Sequence, residues 1–552
     1  MFSLRNLVVI VCLALAGCAT QSSVPNASPD ALLVGNGVTV RNQAMQSREM
    51  APNAVEEEQL QRPARPARAP NGAPGVWAAD VRVNTLVSNH GVGTAGEPGI
   101  AILPDRSGGS FLFWEDAGLG VVRTQHVDAG GTVLWDGGVV STSPAYQASP
   151  SAVSNGDGTM LVAWVDGRNG GCDSTSQMYC EIYIQRLDAF GSRSWGDGLP
   201  VTNSARYPAA NRFAMVSDGA GGAYLAWTSG TDFYNCCSYY MQHIGADGSP
   251  LWAVNGLRMT ELPTLVSGPG VTGPRLVTDD SGGVILAWWN QQAVDGSVHL
   301  FAQRFGPTGT ALWDPAGVEV TFTGTGHANF DAVSDGAGGV IFAVQSKDVP
   351  KSANTHVYVQ RVSASGAIMW PAGGVQLSLQ AGAQMSPTAV SDGTGGAFVA
   401  WSLFDLSSTK NSRVSVMHVD GAGNLLWPAE TTVTESVTGQ AYPHVFADAS
   451  GGVIVGWQDC RTVTAGACST GYDLYTQRIG PTGKREWGAD GFPVSASKAN
   501  QGVDYGDEKR PGFEMVADGN GGVTFVWPDG RLKMCSASLA GWCDLYARHL
   551  AP

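Results

Sequence analysis

Val216–Trp227 reads VSDGAGGAYLAW, a polar turn rich in glycine followed by an apolar run that ends in tryptophan. The same arrangement returns as VSDGAGGVIFAV at Val333, VSDGTGGAFVAW at Val390, FADASGGVIVGW at Phe446 and VADGNGGVTFVW at Val516. Asp-Gly-x-Gly-Gly is a tight-turn signal, because glycine adopts the positive φ that such turns require. The flanking runs are short, small or β-branched, so each copy is read as an antiparallel hairpin. A second element follows each hairpin, for example IYIQRLDAFGSRSW at Ile182, LFAQRFGPTGTALW at Leu300 and LYTQRIGPTGKREW at Leu474. It too reads strand, turn, strand, which makes four short strands per unit.

Counting the tryptophan that ends the first hairpin fixes the number of units. It, or its equivalent, falls at Trp114, Trp164, Trp227, Trp288, Val344, Trp401, Trp457 and Trp527, with separations of 50 to 70 residues. Eight four-stranded units at this period predict an all-β chain, an eight-bladed β-propeller. A second tryptophan closes seven of the units, at Trp135, Trp195, Trp252, Trp313, Trp370, Trp427 and Trp487. The eighth unit stops after its third strand, at LYARHLAP. VWAADVRVNT at Val76 matches EWGADGFPVS at Glu486 with one gap, so Trp77 supplies the missing tryptophan. The N-terminal strand is expected to complete the last blade and so remove an open sheet edge.

The rest of the chain is organised around this folded part, residues 76–552. The first residues, MFSLRNLVVIVCLALAGCATQ, carry a positive n-region at Arg5 and an apolar core too short to span a bilayer as a helix. LAGC at Leu15–Cys18 resembles a bacterial lipobox, which implies a signal peptide over 1–18, cleavage before Cys18 and acylation of that cysteine. Ala19 in place of an inner-membrane retention aspartate implies an outer-membrane destination. Residues 19–75, rich in proline, alanine and charge, read as a flexible tether spanning roughly 40–45 Å on average. The 552 residues carry a net charge of −15 and only 14% charged side chains, with no basic cluster, so nucleic acid is not an expected partner.

Residues 76–552 resemble bacterial envelope proteins built from repeats of the type SDGxGGxxxxW followed by [DE]-[IL]-Y-x-Q-R and a closing G…W. The resemblance implies fold and location and no activity. A weaker likeness to quinoprotein propellers rests on LDAFGSRSW at Leu187, which is one residue short between Asp188 and Gly191. The eight-bladed lipoprotein of the outer-membrane barrel-assembly machinery resembles the chain in architecture and anchoring.

Function is sought on the face opposite the tight turns, where the variable loops lie. Of 10 cysteines, Cys172/Cys180, Cys460/Cys468 and Cys535/Cys543 share the spacing C-x7-C in the same loop of blades two, seven and eight. In an oxidising envelope they read as disulfides that staple loops. Each closed loop is worth about 2.5 kcal/mol by loop entropy. Zinc is the other use of such cysteines, but no histidine pairs accompany them. Cys236–Cys237 form a vicinal pair, which in quinoprotein dehydrogenases stacks on the cofactor.

The pattern Trp-x-Asp-x-Arg recurs as Trp164/Asp166/Arg168, Trp457/Asp459/Arg461 and Trp527/Asp529/Arg531. Blade one keeps the acid, Asp116, without the arginine. This arc is either a loop brace or a site for a polar ligand. Glu181, Asp473 and Asp544 precede the third strands of blades two, seven and eight and could complete such a brace. His126, His243, His418 and His549 hold the strand-three position that Arg186, Arg304, Arg361 and Arg478 fill elsewhere, which marks a structural slot and not a metal site. No catalytic triad, metal motif or phosphate loop appears, and no cofactor is expected. The sequence reading is therefore a lipid-anchored outer-membrane propeller that binds a protein or glycan. A quinoprotein-like oxidoreductase or a polysaccharide-cleaving enzyme is the alternative.

Overall fold

The computed structural model describes residues 77, 79–84, 99–116, 118–135, 137–170, 180–202, 208–229, 238–259, 273–291, 298–324, 326–347, 353–406, 412–436, 439–448, 450–461, 472–495, 512–518, 521–529 and 544–551. The signal peptide with Cys18, the tether, Cys172, Cys236, Cys237, Cys468, Arg531, Cys535 and Cys543 lie outside them. Among the described residues every regular element is a strand.

The strands come in antiparallel groups of four. In the first group, Ile100–Pro104, Ser110–Asp116, Val121–Val127 and Gly138–Val139 follow one another in sheet order. Six sheets have four strands. The seventh joins two such groups, Gly326–Gln376 and Ala383–Thr432, through one parallel pairing, Thr355↔Ala383. The last group, Glu514–Ala517, Val523–Asp529 and Asp544–Leu550, takes its outer strand from the start of the folded chain. Val81 pairs with Ala547 and Arg82 with Tyr546. Arg82 Nη2 also binds Asp544 Oδ1 at 2.9 Å, and Arg548 Nη1 binds Asp80 Oδ1 at 2.8 Å. The first strand of each group packs against the first strand of the next, and the circuit returns from Glu514–Ala517 to Ile100–Pro104.

The second strands form the core. Ser110–Asp116, Met160–Asp166, Val453–Asp459 and Val523–Asp529 are buried along their whole length, because each sheet is covered on both faces by its neighbours. This is why they read as continuous apolar runs and not as alternating ones.

The repeat signature is explained position by position. The turn aspartate accepts two backbone N–H groups. Asp105 Oδ1 takes Ser107 and Gly109, each at 2.7 Å. A Cβ on Gly109 would stand 2.4 Å from Val127 O, so only glycine fits there. The other carboxylate oxygen meets the strand-three His or Arg. His126–Asp105, His243–Asp218, Arg361–Asp335, His418–Asp392 and Arg478–Asp448 all lie at 2.8–2.9 Å. The slot thus exchanges one cation-capable donor for another. The preceding glutamine clips strand four to strand three: Gln360 Nε2 donates to Pro371 O, and its Oε1 accepts from the Trp370 N–H. Gln125, Gln185, Gln242 and Gln477 do the same in their groups.

The second tryptophan joins one group to the next. Trp77, Trp252, Trp313, Trp370 and Trp427 donate Nε1–H to Ala129, Pro307, Ala364, Gly421 and Pro481 carbonyls of the following group's last turn, at 2.8–3.2 Å. The turn glycine lies on the indole, and a Cβ at Gly423 would stand 2.8 Å from Trp370 Cδ1. Trp77 makes this contact from the last group to the first.

Candidate functional site

The arc of Trp-x-Asp-x-Arg side chains is built inward. Trp164 Nε1 donates to Asp166 Oδ2 at 2.8 Å, and Arg168 binds both carboxylate oxygens through Nε (2.8 Å) and Nη2 (2.7 Å). Arg168 Nη2 reaches Asp197 O at 3.0 Å, and the guanidinium lies 3.8 Å from the Tyr183 ring centroid. Burial works against the Arg168 charge, but Asp166 outweighs it and holds the guanidinium above its ordinary pKa. Group seven repeats the arrangement with Trp457, Asp459, Arg461, Asp490 O and Tyr475. In group eight Trp527 Nε1 donates to Asp529 Oδ2 at 2.8 Å. In group one Arg123, from strand three, supplies the guanidinium to Asp116 at 3.4 Å.

The acid before strand three is not part of this brace in the way its spacing implied. Glu181 pairs with the Asn169 amide, and Asp544 with Arg82 and Asn84 of the N-terminal strand. The aromatic face two residues later, Tyr183 or Tyr475, takes the place expected for the acid. Cys180 and Cys460 are disulfide-bonded.

A second constellation, which motif reading missed, lies on the first strands. The residue four before each turn Asp, or Asn155 in group two, is Ala101, Ser151, Ala214, Arg275, Asp331, Thr388, His444 or Glu514. All eight are half-exposed, whereas Met215, Leu276, Ala389, Val445 and Met515, one residue further on, are buried. In these five groups the alternation places the residue on the inner side of the circuit, and the shared register assigns the other three, Ala101, Ser151 and Asp331, to the same side. Two residues closer to the turn, the same side carries Leu103, Val153, Val216, Val277, Val333, Val390, Phe446 and Val516, an apolar collar. The polar level therefore lies between that collar and the variable loops.

Within the polar level, Asp331 Oδ2 accepts from Ala389 N at 3.0 Å and Thr388 Oγ1 at 3.5 Å, and its Oδ1 from Ala332 N at 3.0 Å. The His444 ring packs against buried Phe513 of group eight, with centroids 5.3 Å apart. Burial first, and then the charge of Arg275, push its imidazole down to about 4. The two residues belong to groups four and seven. Arg275 Nε is buried without a hydrogen-bond partner among the described residues.

On the loop side of this level the first strands carry bulges with left-handed residues that are not glycine. Ser149, Ser386 and Tyr442 have φ of 51°, 52° and 56°, and each precedes a proline. A polar side chain of the previous group braces each strained amide: Gln345 Oε1 accepts from Ser386 N at 3.4 Å and Ser402 Oγ from Tyr442 N at 3.1 Å. Glu115 plays this part for Ser149. Nearby, buried Gln147, Gln384 and Gln440 accept from Val122, Val357 and Val414 N–H of the previous group at 3.0–3.2 Å. Strain held by neighbours is a feature of sites more often than of plain framework. The sequence signal for these positions was available in the recurring Gln-x-Ser/Tyr-Pro before the hairpin.

No family model matches the chain. A mannan endo-1,4-beta-mannosidase of Oryza sativa subsp. japonica is 27% identical over 213 residues, covering 33% of this chain and 44% of that protein. The chain thus spans less than half the length of that curated relative. An ulvan lyase, a polysaccharide lyase, is 10% identical with a TM-score of 0.41, covering 75% of this chain and 97% of its own. The NanB sialidase of Streptococcus pneumoniae is 10% identical with a TM-score of 0.36, covering 80% and 83%.

Proposed function

We propose that the eight groups are the blades of a closed β-propeller of the bacterial envelope, anchored through an acylated Cys18 and its tether, that binds a saccharide. The ligand enters from the loop face and rests on the polar level of the first strands. The observation that carries this reading is the placement of a guanidinium, two carboxylates, an imidazole and two hydroxyls at one register position of the inner strands, above an apolar collar. Such donors and acceptors match sugar hydroxyls, and the collar closes the far side. The partial match to a mannan-cleaving protein favours a saccharide over a protein partner. The Trp-x-Asp-x-Arg arc then serves as the rigid rim, with Cys172–Cys180, Cys460–Cys468 and Cys535–Cys543 stapling its loops.

Calorimetric titration with envelope and plant oligosaccharides, mannan fragments included, tests the reading. Ala214→Trp, which fills the polar level from a blade that has only a methyl group there, is expected to weaken binding at least tenfold. Charge reversal at Asp459 should act only through stability. Binding that survives Ala214→Trp would remove the inner strands from the site. The second reading, a polysaccharide-cleaving enzyme, draws on Asp331 and Glu514 as a carboxylate pair at the same level. Release of reducing ends from a bound oligosaccharide would establish it, and intact ligand after prolonged incubation would rule it out.

A further inference from the structure

Seven of the eight residues at the polar level are neutral or have partners of their own. Ala101 and Ala214 are methyl groups, and Asp331 is engaged by two backbone N–H groups and by Thr388. Glu514 has an interaction of its own. Arg275 differs. It is a permanent cation, half-exposed on the inner side, with its Nε buried and without a hydrogen-bond partner among the described residues. A buried guanidinium N–H left unmatched is destabilising, and that cost is offset when an anion meets it. Every guanidinium of the strand-three slot, by contrast, is matched to a turn carboxylate, as Arg304 to Asp279 and Arg361 to Asp335, each at 2.9 Å.

His444 holds the same register position as Arg275, and its imidazole stays neutral at ordinary pH, so it offers one N–H without adding a second charge. A planar anion fits a fork of guanidinium N–H groups better than a sugar hydroxyl does. We infer that the saccharide carries a carboxylate, as a uronate residue does, and that Arg275 binds that carboxylate while His444 donates to the same unit. The inference rests on the saccharide reading above and narrows it to acidic sugars. Asp331 at the same level turns both oxygens to donors of its own, the Ala332 and Ala389 amides and the Thr388 hydroxyl.

The test compares uronate oligosaccharides with the same oligosaccharides after reduction of their carboxyl groups, titrated into the full chain and into Arg275→Gln. The uronate is expected to bind the unchanged chain at least tenfold more tightly than its reduced form. Arg275→Gln should erase that difference, the uronate losing at least tenfold more affinity than the reduced form. If Arg275→Gln fails to give the melting curve of the unchanged chain, Arg275→Lys replaces it. That variant keeps the charge but loses the fork, and at least a threefold loss for the uronate alone is then expected. Equal affinity of the unchanged chain for both forms would overturn the inference and leave the saccharide reading standing. So would a uronate preference that persists in the variant. Binding of neither form would overturn both.

Discussion

Glu115 is a buried carboxyl set between the first and second groups of strands, and replacing it with glutamine is expected to stabilise the protein in a pH-dependent way. Burial pushes its pKa from 4.5 up to about 7, against the stabilising hydrogen bonds from Tyr146 and the Ser149 amide, and with some help from Asp116. Tyr146 Oη lies 3.2 Å from Glu115 Oε1. The group is raised above its unfolded value, so below about pH 4.5 it is protonated in both states and costs nothing. Above about pH 7 the folded state carries the full penalty of ionising it. A shift from 4.5 to about 7 corresponds to about 3 kcal/mol, at about 1.4 kcal/mol per pH unit. Glutamine keeps an oxygen for the Tyr146 hydroxyl and the Ser149 amide, and the fifth group uses it in this place, where Gln345 accepts from the Ser386 amide. Glu115→Gln should therefore gain about 2–3 kcal/mol at pH 8 and close to nothing at pH 4.5, read by urea unfolding of both proteins at both pH values. An equal effect at the two pH values, or a loss at pH 8, would refute the reasoning.

Further outcomes follow from the same geometry. Gly423→Ala places a methyl group against the Trp370 indole at φ +89°, and should cost about 2–4 kcal/mol in unfolding free energy, adding the left-handed backbone penalty to overpacking. Asp392 is held below the usual carboxylate range: burial opposes this, but His418 and the amides of Thr394 and Gly396 outweigh it. Its stabilisation is present above the unfolded carboxylate pKa and is lost as pH falls through the lower folded value. The melting temperature of Asp392→Asn should thus lie below that of the unchanged chain at pH 7 and converge with it near pH 2. Peptide mapping without reduction should recover Cys172 joined to Cys180 and Cys460 joined to Cys468; scrambled or free thiols would contradict the stapled loops.

The framework was legible because its chemistry repeats. Asp-Gly-x-Gly-Gly supplies an acceptor for two N–H groups and a residue without Cβ where Gly109 stands, so most groups keep these features, although group two has Asn155 and Thr159 in their places. The Gln-Arg or Gln-His pair is fixed for the same reason, through Gln360 on strand four and Arg361 on the turn. The inner level was not legible because nothing at that position repeats. Alanine, serine, arginine, aspartate, threonine, histidine and glutamate occupy it in turn, and only register against the turn aspartates brings them together. The Trp-x-Asp-x-Arg motif repeats for a structural reason, the loop-brace alternative: Arg168 and Arg461 brace their own groups. Spacing alone pointed to Glu181 as the brace partner, whereas Arg168 lies on the Tyr183 ring, which its sequence neighbourhood also contained.

Both the inner level and the saccharide reading depend on the circuit of first strands being held shut by the strand at Val81–Arg82. Amide hydrogen exchange tests this most directly. The account predicts that Val81 and Val83 exchange as slowly as Leu545 and Ala547, their partners in the last sheet. Exchange of residues 81–83 within seconds, while 545–550 remain protected, would contradict it.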